Sequence, residues 1–138
     1  MTAEIAGAPT DKEPRFRSVL AGLAVSDIAE SVAWYSRFFG RVPDMRPMPD
    51  VAEWVLTTGA TLQLMCSPDV AGTGFTRLEV DDLDAAMRVL DGRGFTPAQT
   101  GQFSGVIRFA DYTDPSGNEV SVVEALFDVV RFTPPSAV

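Results

Sequence analysis

The chain has 138 residues, 46% of them hydrophobic, and a formal net charge of −8 at neutral pH. That is enough apolar material for one domain with its own core. The acidity repels phosphate backbones and anionic headgroups, so neither nucleic acid nor a membrane surface is expected as a partner, and no apolar run approaches the roughly 18 residues of a spanning helix.

Residues 1–14 are polar, with no basic stretch leading into an apolar one. They read as a disordered lead rather than a secretory signal. The single cysteine, Cys66, leaves no internal disulfide and fits a reducing cytoplasm. Lys12 is the one lysine, and the arginine bias matches GC-rich bacterial coding.

Residues 17–25 end in small and branched side chains, as a buried strand does. Asp27 or Ser26 then caps a helix, with Glu30 in capping-box position. Its apolar stripe is Ile28, Val32, Tyr35 and Phe39, and Gly40 is placed to end it. Pro43, Pro47 and Pro49, with Met45 and Met48 between them, mark an irregular stretch. A hairpin follows, 53–57 and 61–66 flanking a turn at Gly59. Residues 67–74 read as a linker.

The second half repeats this order. Residues 75–80 are a strand, and Asp81 or Asp82 caps a helix with the stripe Leu83, Ala86, Met87 and Leu90. Residues 95–99 form a short edge strand that tolerates Pro97. Residues 106–112 and 118–124 make a hairpin about Asp114-Pro115-Ser116-Gly117. The tail, 128–138, is expected to be loose. The repeat itself is visible as Leu23-Ala24-Val25-Ser26-Asp27-Ile28 against Leu78-Glu79-Val80-Asp81-Asp82-Leu83. The predicted architecture is α+β: two tandem βαβββ modules, about 17–67 and 75–127, in one domain over 15–127, with a curved mixed sheet around a cleft.

With Ser31-Val32-Ala33-Trp34-Tyr35, the Phe39-Gly40 helix end and Asp114-Pro115-Ser116-Gly117-Asn118, this duplicated pattern resembles the vicinal oxygen chelate superfamily. That group includes glyoxalase I, bleomycin-resistance proteins and extradiol dioxygenases. The resemblance covers roughly residues 17 to 127. It implies a cleft where two histidines and two glutamates hold a divalent metal, at positions that fall here on Leu20, Gln63, Phe75 and Ser121. The chain has no histidine. Leucine and phenylalanine offer no lone pair, and serine and glutamine cannot balance a 2+ charge. No metal and no other cofactor is therefore expected.

Strand alternation projects the rest of the cleft face from those positions. Gly22 and Ala24 lie beside Leu20, Thr61 and Met65 beside Gln63, Arg77 and Glu79 beside Phe75, and Glu119 and Val123 beside Ser121. Trp54 and Phe103 are candidate aromatic walls. The expected ligand-binding set is Leu20, Gly22, Trp54, Gln63, Met65, Phe75, Arg77, Phe103 and Ser121. Arg77 and Glu79 also suit a structural ion pair, and Leu20 and Phe75 also suit simple core packing. Trp34 and Tyr35 read as packing and surface residues, and Cys66, with no histidine to activate it, as an inert thiol.

The resemblance implies a metal-independent binding protein like the drug-sequestering branch, a homodimer holding an aromatic small molecule. Two other readings stand beside it. One is a metal-free isomerase, cyclase or lyase using Glu79 or Glu119 as general base, with Arg77, Gln63 or Ser121 polarising a carbonyl. The other is a regulatory module whose cleft is plugged.

Overall fold

The computed structural model describes residues 13–126, so the expected tail and most of the expected lead lie outside the described residues. In chain order the elements are β1 (Val19–Val25), α1 (Ile28–Phe39), β2 (Val51–Thr57), β3 (Ala60–Cys66), β4 (Phe75–Glu79), α2 (Leu83–Gly92), β5 (Gln99–Phe103), β6 (Ile107–Thr113) and β7 (Glu119–Ala125). They form two mixed sheets, ordered β1-β3-β2 and β4-β7-β6-β5. β1 runs parallel to β3 and β4 parallel to β7, each closing one module. The α+β fold is the one the repeat predicts.

Local chemistry sets the helix ends. Asp27 sits in extended backbone and its carboxylate accepts from the Glu30 amide at 3.0 Å. Asp82 does the same for Ala85 at 3.0 Å. Each satisfies an amide that the helix leaves unpaired. Gly40 ends α1 at φ 76°, a left-handed conformation that only glycine adopts without strain. Ser26, the other candidate cap, instead bonds Ser116: its amide donates to the Ser116 hydroxyl at 2.9 Å.

One face of each sheet packs on the helices. Leu23, Val25, Leu62, Leu64, Val120 and Val122 are all buried there, with Tyr35, Phe38, Leu83 and Leu90 facing them. Trp54 belongs to this core too, fully buried beside Tyr35 and Phe39, its indole N–H donating to the Arg41 carbonyl at 3.0 Å. The expectation that Trp54 walls the cleft is therefore corrected. Its side chain shares a strand face with Ala52, and Glu53 takes the opposite face.

Two further differences concern strands. The predicted edge strand at 95–99 forms instead as β5, Gln99–Phe103. Phe95 is drawn into the core, 5.0 Å from Trp34 and 5.1 Å from Phe38 between ring centres, so the chain turns outward before it pairs. In the first module, the strand that would correspond to β5 is reduced to a single bridge between Met45 and Glu53. Pro43, Pro47 and Pro49 lack the amide protons that a ladder needs.

The Asp114 turn fastens the modules together. Its buried carboxylate accepts from Tyr35 Oη at 2.8 Å, from the Ser116 and Asn118 amides at 2.9 Å, and from Asn118 Nδ2 at 2.9 Å. Asn118 Nδ2 also donates to the Ala24 carbonyl, and the Gly74 amide donates to Asn118 Oδ1. Burial first, then the neighbouring carboxylate, pushes the Tyr35 phenol far above its ordinary value of 10.0. No helix among the described residues is long and apolar enough to cross a membrane.

Candidate functional site

The sheet faces turned away from the helices carry the chemistry. On the first sheet the open row is Gly22, Gln63 and Glu53, in register across β1, β3 and β2. Gln63 Nε2 donates to Glu53 Oε2 at 2.7 Å, and Glu53 is only 7% exposed. Sequence reading misses Glu53, because only the facing of Trp54 reveals it.

On the second sheet the equivalent row is Arg77, Ser121 and Asp111, in register across β4, β7 and β6. Here a concavity of about 480 Å³ opens, lined by these three residues together with Glu119, Val123, Phe109, Ile107 and Phe103. It is zoned. The polar row occupies one side, with Glu119 one pleat away on β7. The next row places Phe109 opposite Val123, and beyond it Phe103 opposite Ile107.

The polar groups of this concavity make no ion pair and no side-chain hydrogen bond within the described residues. Ion pairs form elsewhere, between Arg41 and Asp44 and between Arg108 and both Asp84 and Glu124. The expected Arg77–Glu79 pair is not made; the Arg77 guanidinium instead lies 4.9 Å from the Phe75 ring centre, a cation–π contact. No hydrogen bond of the Asp111 carboxylate, the Glu119 carboxylate or the Ser121 hydroxyl is formed within the described residues. Ser121 is 2% exposed as a residue and lies on the lining of the concavity.

The structure thus brings five of the predicted residues together: Arg77, Phe103, Glu119, Ser121 and Val123. Phe75 stands at their edge, beneath Arg77. Leu20, Gly22, Gln63 and Met65 share the open face of the first sheet but do not line the concavity, and Glu79 lies on β4 beyond it. The pocket belongs to the second module because only that module has a fourth strand, whose Phe103 forms its far wall. Asp111, Phe109 and Ile107 are absent from the predicted set. The signal for them is present: a tight turn at Asp114–Gly117 sets Thr113 opposite Glu119, and counting two residues along each strand gives Asp111 opposite Ser121.

The family model of the glyoxalase/bleomycin resistance protein/dioxygenase superfamily matches residues 17–122. The chain belongs to this superfamily. A glyoxalase/bleomycin resistance protein from Catenulispora acidiphila DSM 44928 is 32% identical, covering 79% of this chain and 98% of its own, with a TM-score of 0.74. TnmS3, an antibiotic binding protein from Streptomyces sp. CB03234, shares the fold at 22% identity, 78% and 94% coverage and a TM-score of 0.65. Lactoylglutathione lyase from Agrobacterium tumefaciens shares it at 16% identity, 80% and 95% coverage and a TM-score of 0.65. No curated protein matches the chain significantly.

The metal that this superfamily implies does not fit the residues present. Of the four positions, Leu20 and Phe75 carry no donor atom, and Gln63 and Ser121 offer only neutral oxygens. Among the described residues no group of three His, Cys, Asp or Glu side chains is arranged to hold a metal ion.

Proposed function

We propose that this superfamily member is a small-molecule binding protein that holds an aromatic ligand on the open face of its second sheet, without metal and without changing the ligand chemically. The observation that carries this reading is the 480 Å³ concavity, where an apolar floor meets four polar groups that the protein leaves unpaired. Size, apolar lining and a few convergent polar groups are what a binding site for a drug-sized molecule requires. The fold shared with an antibiotic binding protein agrees with it.

The protein acts as a homodimer in this reading. Leu20, Met65 and Phe75 are 50%, 44% and 60% exposed on the open faces, an apolar surface that a second copy would cover. A thermal-shift screen against aromatic natural products, followed by mass spectrometry of the bound compound, tests the proposal. A stabilising compound recovered unchanged after long incubation supports it. Conversion to a new mass at catalytic ratios would replace it with the enzyme reading, in which Glu119 is the carboxylate placed to act as base. Failure of every compound to bind, with size-exclusion showing a monomer, would remove both the ligand and the dimer.

A further inference from the structure

We infer that the ligand of this pocket is a flat aromatic zwitterion, with an anionic group set against Arg77 and a protonated amine set against Asp111. The inference rests on the reading of the concavity as a binding site and goes further by naming the charge pattern of its occupant.

The charge pattern follows from register. Arg77, Ser121 and Asp111 are direct cross-strand neighbours on β4, β7 and β6. Adjacent strands lie about 4.8 Å apart, so the guanidinium and the Asp111 carboxylate stand on strands roughly 10 Å apart. They form no ion pair with each other. The row therefore has a guanidinium at one end and the Asp111 carboxylate at the other, while Glu119, on the middle strand opposite Phe75 and Thr113, lies one diagonal step from both. The Ser121 hydroxyl lies between them and makes no hydrogen bond within the described residues. It can donate to one substituent or accept from the other.

Alternative occupants each leave something uncompensated. A simple anion would satisfy Arg77 and face two carboxylates. A simple cation would satisfy the carboxylates and strip water from Arg77 with nothing in return. An uncharged hydrocarbon would desolvate all four polar groups. A molecule carrying both charges at opposite ends, about 8–10 Å apart, meets each of them.

Flatness follows from the apolar row. Phe109 packs across the strand gap onto Gly101, where a Cβ would come within 2.8 Å of the ring. The absence of a side chain at Gly101 lets that ring lie down against β5, so the floor it makes with Val123 is broad rather than notched. Aromatic rings stack on such a floor.

The test uses three ligands with one ring system: 2-naphthoate, 2-naphthylmethylamine and 6-(aminomethyl)-2-naphthoate, titrated calorimetrically into the full chain at neutral pH. The zwitterion is expected to bind at least about tenfold tighter than either singly charged ligand. Arg77→Met should weaken the zwitterion and the naphthoate while sparing the amine. Asp111→Asn should weaken the zwitterion and the amine while sparing the naphthoate. Equal affinity of the amine and the zwitterion, or a loss that is the same for all three ligands in either variant, would overturn the inference. The three-ligand comparison on the unaltered chain decides the matter even where a variant misfolds. If none of the three binds, the charge assignment falls. The separate screen of aromatic compounds then shows whether the pocket reading falls with it.

Discussion

The two modules share a frame and differ in what they leave unfinished. Both begin with a strand, an aspartate cap and a helix, and both present a row of polar side chains on the open face of a sheet. In the first module the row closes on itself, because the Gln63 amide is long enough to cross the strand gap and reach Glu53 at 2.7 Å. In the second module the corresponding pair is Ser121 and Asp111, and no hydrogen bond joins them. The same register therefore yields a satisfied surface in one copy and a set of unpaired groups in the other. Groups that water alone now satisfies, gathered on the lining of a concavity, are free to bond a ligand that enters it.

The largest effect is expected where the modules are fastened. Counting 58 residues back from Asp114, the offset that aligns Gly59 with Gly117, gives Leu56, so this polar latch exists in one copy only. Asp114→Ala would leave Tyr35 Oη and the Asn118 side chain without their acceptor in a buried site. A loss of about 3 kcal/mol or more is expected, read as a lower urea midpoint. Tyr35 adds a pH signature. Its folded-state pKa is raised, so its contribution is complete below the unfolded value near 10 and is lost as pH rises above it. In that range the unfolded chain releases a proton that the folded chain keeps, and stability falls by up to about 1.4 kcal/mol per pH unit. Tyr35→Phe should shallow this alkaline decline. It should not abolish it, because burial pushes the Tyr112 phenol up as well.

Gln63→Ala breaks the comparison from the closed side. It leaves the Glu53 carboxylate nearly buried without its donor, at an expected cost of about 2 kcal/mol. Affinity of the second sheet for an aromatic ligand should stay within about twofold, since neither residue lines the pocket. A large fall in affinity, with stability intact, would show that the first sheet is part of the site.

Transplanting the closed pair into the open copy is the converse. The double variant Ser121→Gln with Asp111→Glu places an amide and a carboxylate in the register that pairs them in the first module. Their hydrogen bond should fill the polar side of the concavity and reduce ligand affinity about tenfold, equivalent to about 1.4 kcal/mol. The thermal midpoint should hold or rise. Unchanged affinity, measured on a correctly folded variant, would mean that the polar row does not touch the ligand.

Much of this frame is legible in the sequence because local rules carry it. Spacing narrows the caps to Asp27 or Ser26 and to Asp81 or Asp82 and puts Gly40 at the helix end, and Asp27, Asp82 and Gly40 hold those places. What escapes depends on pairing between distant segments. Trp54 reads as a wall because nothing in β2 itself distinguishes its two faces; the aromatic side chains of α1 decide it. The sequence puts the edge strand at 95–99 because Phe95 looks like a strand residue until Trp34 and Phe38 are packed against it. The hairpin that β5 does form turns on Ser104-Gly105, both in left-handed backbone at φ 50° and 67°, a two-residue turn that suits the twist of the strands. The half of the pocket on β6 escapes for another reason: its residues hold no position that the duplicated pattern anchors, and only the register of the Asp114–Gly117 hairpin brings Asp111 opposite Ser121.

The smallest effect tests the floor of the pocket. Gly101 faces Phe109 across the β5–β6 ladder, and a Cβ there would approach the ring to 2.8 Å. The ring is the far end of a mobile side chain, so Gly101→Ala should tilt it rather than disrupt the sheet. Alanine costs less backbone entropy on folding than glycine, which offsets the displacement, and stability should change by less than about 1 kcal/mol. The added methyl would push Phe109 off β5 toward Val123 and into the space a flat ligand needs. Affinity for a planar ring should fall about threefold, while a smaller, non-planar ligand of the same charge should lose less. Equal losses for both shapes would place the ligand elsewhere on the open face and leave the Phe109 ring as packing for β5 alone.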